Sequence, residues 1–259
     1  MRLVFIMTLL ATALLSRCNS TNTNENNNTT KNSNVALAVP KVEPLKPVSA
    51  VDTGFKSCNP YYPLLPGSQV RYTLKFSSGL IADVNVVVDS TEEGGRKTFV
   101  ETTQIVDAGG GLEKLEKTVR KYVCDGERVQ IIYEKGNNRA GELANDFESK
   151  FRNVPIVIVE PSGLKRAGTT WSNSFHQVFQ VAGQPPIEPE EPVTVNFEVF
   201  GEEEVTTPAG KFRAVKIGRR VVDKTGFDYF AKGLGLVKRV AADGTSWELK
   251  EYSGVKPIE

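Results

Sequence analysis

Val70 to Phe76 reads VRYTLKF, and Ala82 to Asp89 reads ADVNVVVD; in both, apolar and polar residues alternate. A period of two sends successive side chains to opposite faces of a strand. The β-branched and aromatic residues in these runs suit that geometry. The same pattern predicts strands at Lys97–Val106, Lys117–Cys124, Arg128–Tyr133, Val154–Val159, Thr170–Val181, Val193–Val205, Phe212–Val222, Phe227–Ala231, Gly235–Val240 and Ser246–Tyr252. Turn chemistry separates them: Ser77-Ser78-Gly79, Glu93-Gly94-Gly95, Asp125-Gly126, Lys135-Gly136-Asn137-Asn138 and Asp243-Gly244. Short strands at this spacing predict an antiparallel meander rather than βαβ units. Only residues 140–151 carry a weakly helical pattern. Thr207-Pro208-Ala209-Gly210-Lys211 has the chemistry of a tight hairpin with a bulge, so its glycine is structural and no phosphate cradle.

A faint internal repeat runs through the strands. Gly67 and Gly168, each just ahead of a strand, lie 101 residues apart. Val84–Val88 and Val195–Val199 lie 111 apart, and Tyr122–Gly126 and Tyr229–Gly233 lie 107 apart. The expected fold is mainly β. It is a long antiparallel curved sheet or partial barrel, made of two similar halves at about 58–138 and 154–259, with little helix.

The start of the chain follows a different pattern. Leu3–Leu15 is a thirteen-residue run with only Thr8 and Thr12 mildly polar. It is shorter than the about 20 residues of a membrane-spanning helix and suits the apolar core of a secretory signal, residues 1–17. Leu15-Ser16-Arg17-Cys18 resembles a bacterial lipobox, in which Cys18 receives a diacylglyceryl thioether; Arg17 stands where that pattern has a small residue. Residues 18–34 are almost wholly Asn, Thr and Ser, with nothing to bury, so they form a disordered tether. Residues 35–54 contain Pro40, Pro44 and Pro47 and form a stiffer linker. The β domain occupies 55–259. The rival reading is a secreted eukaryotic chain glycosylated at Asn19, Asn27 and Asn28.

Charge changes this picture little: 32 basic against 31 acidic residues argue against nucleic acid as a partner. With Cys18 lipidated, Cys58 and Cys124 remain. An oxidising compartment favours a disulfide between them, stapling the strap before the first strand to the sheet; two separately buried thiols are the alternative. Two cysteines without CxxC spacing and one histidine, His176, argue against zinc, and no cofactor is expected.

Tyr61-Tyr62-Pro63-Leu64-Leu65-Pro66-Gly67, Thr207-Pro208-Ala209-Gly210-Lys211-Phe212 and Tyr229-Phe230-Ala231-Lys232-Gly233-Leu234-Gly235-Leu236-Val237-Lys238 together resemble one group. It is the uncharacterised bacterial envelope proteins and lipoproteins marked by "YPL-PG-WxY … VPAGxF … YFAxGxGLVK"; Val70 stands where that pattern has Trp. The resemblance spans about residues 58–252. It implies an open, curved sheet like that of lipoprotein carriers, and it implies no catalytic residue.

Catalytic patterns are weak. His176 has no G-x-S-x-G elbow to serve, and Ser174 merely shares its strand face. Asp107–Gly111 lacks the ending of a phosphate loop. Glu188, Glu190, Glu191 and Glu202–Glu204 read as a solvated edge rather than a calcium site. Three functions compete. The first is a non-enzymatic, membrane-anchored envelope lipoprotein that binds or carries a lipid or other apolar ligand. Its ligand face would be Leu74, Phe76, Val86, Val88, Phe99, Phe179, Phe197, Val199 and Phe230. The second is an interaction protein that docks an envelope protein through a sheet edge. The third, a minor alternative, is an unrecognised hydrolase. The expected location is the bacterial envelope, facing periplasm or exterior.

Overall fold

The period-two text becomes strands almost throughout. A computed structural model describes residues 57–107, 114–138, 145–151, 154–181 and 185–258. The signal segment, Cys18, the tether and the linker lie outside the described residues. Thirteen strands follow in chain order among the described residues: β1 (Gln69–Lys75), β2 (Ile81–Glu93), β3 (Arg96–Asp107), β4 (Lys114–Asp125), β5 (Arg128–Asn138), β6 (Asn145–Lys150), β7 (Ile156–Ile158), β8 (Thr170–Val181), β9 (Val193–Thr207), β10 (Gly210–Val221), β11 (Lys224–Ala231), β12 (Gly235–Val240) and β13 (Ser246–Ser253). One helical turn, α1 (Pro161–Leu164), precedes β8. The weakly helical pattern at 140–151 is overturned where it is described: β6 is a strand, because β5 and β8 take both of its edges. Pairing on two sides outweighs a weak local preference.

Each strand pairs antiparallel with the next, β1 through β6 and then β8 through β13, and β13 returns to β1. β4 pairs with β5 from Glu116↔Asn138 to Asp125↔Arg128, so the sheet closes into a twelve-stranded barrel rather than stopping at an open trough. Six strands come from each half of the chain. The expected repeat has a backbone counterpart. Gly67 N–H donates to Val88 O (2.7 Å) and Val88 N–H to Ser68 O (3.0 Å); Gly168 N–H donates to Val199 O (2.8 Å) and Val199 N–H to Thr169 O (2.9 Å). Both glycines have φ near +82°, which explains why glycine stands at both positions.

In each half the fifth and sixth strands part toward the same rim. β5 pairs with β6 only from Glu134↔Ser149 onward, and β7 takes the free edge of β5 at Val129 and Gln130. β7 is joined to β8 by side chains: Asn173 bonds both Ile156 N–H and Ile156 O, and the Trp171 indole N–H donates to Ile156 O (3.1 Å). β12 pairs with β13 only over Lys238–Val240. There the β9–β10 hairpin tip comes in, with Ala209 N–H donating to Leu249 O (3.0 Å). A register shift beside Gly201, at φ +114°, interrupts the hairpin on its way.

The strap Ser57–Ser68 is sewn to the same rim. Asn59, fully buried, donates to Glu127 O and Val159 O, both at 2.8 Å. Cys58 and Cys124 form a disulfide, with Cα atoms 6.1 Å apart. Pro63 presses so close to Gly235 that a Cβ there would lie 3.2 Å from the proline ring. Outward faces are charged on many strands, including Lys75, Lys117, Lys135, Glu148, Glu198 and Arg213, all exposed. Such side chains are costly against hydrocarbon, so the apolar band of a membrane barrel is not formed by these strands.

Candidate functional site

Eight strands enclose about as much space as side chains fill, and sixteen or more leave a channel. Twelve therefore leave a lumen that must be partly plugged. Tyr62, Pro63 and Leu64 of the strap enter it, and a cavity of about 220 Å³ remains. Eleven of the twelve ring strands contribute to its wall, which mixes apolar and ionic side chains. The apolar residues include Val86, Val88, Trp171, Phe175, Phe197 and Phe230. Trp171 and Phe197 are stacked, centroids 4.9 Å apart at 8°.

The ionic residues form two rows, one from each half. In the first, Glu101, Arg120, Glu134 and Ser149 are direct cross-strand neighbours on β3, β4, β5 and β6. Arg120 Nε donates to Glu134 Oε1 (2.8 Å), and Arg120 Nη1 lies 3.5 Å from Glu101 Oε1. Ser149 Oγ donates to Glu134 Oε2 (2.6 Å), and Tyr122 Oη to Glu101 Oε1 (3.2 Å). Tyr62 Oη, from the strap, lies 3.1 Å from both Glu101 Oε2 and Tyr122 Oη. Burial, and then the Glu101 charge, push both phenols well above their ordinary range, so they stay protonated donors. Burial alone would lower the Arg120 guanidinium, but Glu134, Tyr122 and Glu101 hold it above its usual value.

The second row is Arg219, Asp228 and Arg239 on β10, β11 and β12. Arg239 grips Asp228 with Nε (2.7 Å) and Nη2 (3.0 Å), and its guanidinium lies over the Trp247 ring. Burial would raise the Asp228 carboxyl, yet Arg239 and Arg219 hold it below the usual range. Arg219 stands 3.9 Å from Asp228, beyond hydrogen-bond reach. So acid–base–acid on the third to fifth strands of the first half faces base–acid–base on the corresponding strands of the second.

The expected ligand face is divided by closure of the barrel. Val86, Val88, Phe197 and Phe230 line the lumen cavity. Leu74, Phe99 and Val199 are buried in packed core without lining it, and Phe76 packs against that core. The Phe179 side chain lies outside the described residues. His176 is buried with a ring nitrogen 3.3 Å from Pro189 O, while Ser174 bonds Thr194; the structure does not bring them together. Glu202, Glu203 and Glu204 pair with Arg213, Lys216 and Lys211 along the hairpin.

The strand pattern passed over the ionic rows. Their signal was phase: Glu101 shares its strand face with Phe99, Thr103 and Ile105, all buried, and Arg219 shares one with Ile217 and Val221. A charge in step with apolar positions points inward.

No protein-family model and no curated protein matches the chain. Two solved structures are similar in fold. One is a protein from Bacteroides fragilis, described as exported and as having a YmcC-like fold, at 14% identity and TM-score 0.50; the match covers 76% of this chain and 100% of that one. The other is described as a lipoprotein from Parabacteroides distasonis, at 13% identity and TM-score 0.46, with the same coverage.

Proposed function

We propose that this chain is a non-enzymatic envelope lipoprotein, tethered through Cys18, whose barrel lumen binds a small ligand with an apolar body and a polar head. The observation that carries the reading is the mixed wall of the 220 Å³ lumen, in which aromatic and aliphatic side chains stand beside fixed ionic groups. Ligand sites have this mixed character, an apolar lining with a few fixed polar groups. Size narrows the ligand. A dry cavity of about 150 Å³ holds benzene, so 220 Å³ suits about nine carbon-sized groups, fewer than a membrane lipid's acyl chain carries. The lipobox-like Leu15–Cys18 and the Asn-rich tether support the anchor. The exported description of the Bacteroides fragilis protein, which shares the fold, is consistent with an envelope location. Among the described residues the ring strands are paired on both edges, which favours the lumen over docking through a sheet edge.

Intact-mass spectrometry of the protein from its own membranes, native and denatured, tests the reading. The expected result is a diacylglyceryl mass on Cys18 and a small adduct that leaves on denaturation. An unlipidated N-terminus beyond Cys18 overturns the anchor. A native mass without adduct, together with no binding of small amphiphiles, overturns the ligand.

A further inference from the structure

We infer that the lumen recognises a monocarboxylate, with the Arg219 guanidinium as the group that holds its head; this rests on the lumen being a ligand site.

The inference follows from asking which interior charge is still unused. Glu101 and Glu134 are taken up by Arg120, Tyr122 and Ser149. Both oxygens of Asp228 are occupied by Arg239. Arg219 differs. Its side chain is only 10% exposed, its one ion-pair partner among the described residues is Asp228 at 3.9 Å, and it donates no hydrogen bond to any described residue. Yet no buried side-chain nitrogen or oxygen among the described residues lacks a hydrogen bond. The Arg219 nitrogens therefore touch open space, and Arg219 lines the lumen. Its five donors, set in a planar fork, make no hydrogen bond to the described acceptors that share the cavity wall. Burial, reinforced by Arg239 and Arg120 against Asp228, lowers this guanidinium to about 10, as befits a cation short of counter-charge.

The surroundings choose the ligand class. A planar guanidinium matches a carboxylate through two parallel hydrogen bonds. Glu101, Glu134 and Asp228 line the same cavity and disfavour a multiply charged anion such as a phosphate dianion. Cross-strand register runs Arg219↔Phe197↔Trp171, so the stacked ring pair lies beside the guanidinium, where an apolar body attached to the carboxylate would rest.

Titration calorimetry of the full chain with octanoate and with 1-octanol tests this. Octanoate is expected to bind at least about tenfold more tightly than octanol. Arg219→Gln should reduce octanoate to the affinity of octanol and leave octanol unchanged, while Arg219→Lys retains part of the preference. Equal affinity of the two probes for the unaltered protein overturns the inference and leaves the lumen as a ligand site. So does an Arg219→Gln protein, folded by circular dichroism, that still prefers octanoate. Failure of both probes to bind overturns the lumen reading itself. The contrast between probes on the unaltered protein needs no variant to fold.

Discussion

The two halves of the barrel share a plan and finish it differently. Each contributes six strands, each opens with a glycine at positive φ bonded to its second strand, and each parts its fifth strand from its sixth at the same rim. The first half fills that gap with β7 and is stapled by Cys58–Cys124; the second fills it with a hairpin tip. The ionic rows diverge in the same sense. In the first, every charge is hydrogen-bonded and two tyrosines and a serine complete the network. In the second, Asp228 and Arg239 satisfy each other and Arg219 stands apart. A fully satisfied buried network rigidifies; one with a spare donor can receive a partner. On the proposal made above, the first half is scaffold and the second the recognition surface.

That contrast can be broken most directly at the two arginines. Arg120→Ala strips the cation from Glu134, whose side chain is 3% exposed, and from Glu101, and should cost about 3–5 kcal/mol in urea unfolding. Arg219→Gln leaves Asp228 held by Arg239 and should change stability by less than about 1 kcal/mol. Equal costs would erase the distinction between the rows. The staple comes next. Replacing Cys58 and Cys124 with Ala opens a loop spanning 66 residues and should cost roughly 2–4 kcal/mol, with no change in ligand affinity if recognition belongs to the second half.

A matched pair of glycines sharpens the comparison further. A Cβ at Gly136 would collide with the Phe147 ring and lie 2.9 Å from Thr118 Oγ1, so Gly136→Ala should cost about 1–3 kcal/mol. At Gly218 the colliding ring is Phe200, 51% exposed and able to swing away, and Gly218→Ala should cost less than about 1 kcal/mol. Thermal melts of the two variants decide this.

The smallest effect is a matter of pH. Burial raises the Glu116 carboxyl above its ordinary 4.5, so the folded state favours the proton. Its contribution is full below the unfolded value and is lost as pH rises through the higher native one. Glu116→Gln should therefore raise the melting temperature at pH 7, and the gain should vanish below pH 4.5. Asp228 has the opposite sign. Its carboxyl is held below 3.8, so it stabilises above that value and the contribution disappears as acid protonates it. A Glu116→Gln protein no more stable than its parent at pH 7 would contradict the burial argument.

Much of the barrel was readable from the residues. Alternation located β8 and β12 to the residue, and Pro208-Ala209-Gly210 gave the hairpin. β6 was not readable, because Asn145–Lys150 has little apolar text and becomes a strand through pairing on both edges. The lumen's charges were half legible: Glu101, Arg120 and Arg219 keep inward phase, but phase does not name a partner across the ring.

Period two, β-branching and turn chemistry are local properties, so the residues alone already specify an antiparallel meander of two related halves. Closure of the ring at β4–β5, its sealing by a strap and a hairpin tip, and the facing of acid–base–acid by base–acid–base inside emerge only in the folded molecule. Those outcomes depend on pairing between residues far apart in the chain, and alternation along one strand carries no information about which distant strand it will meet.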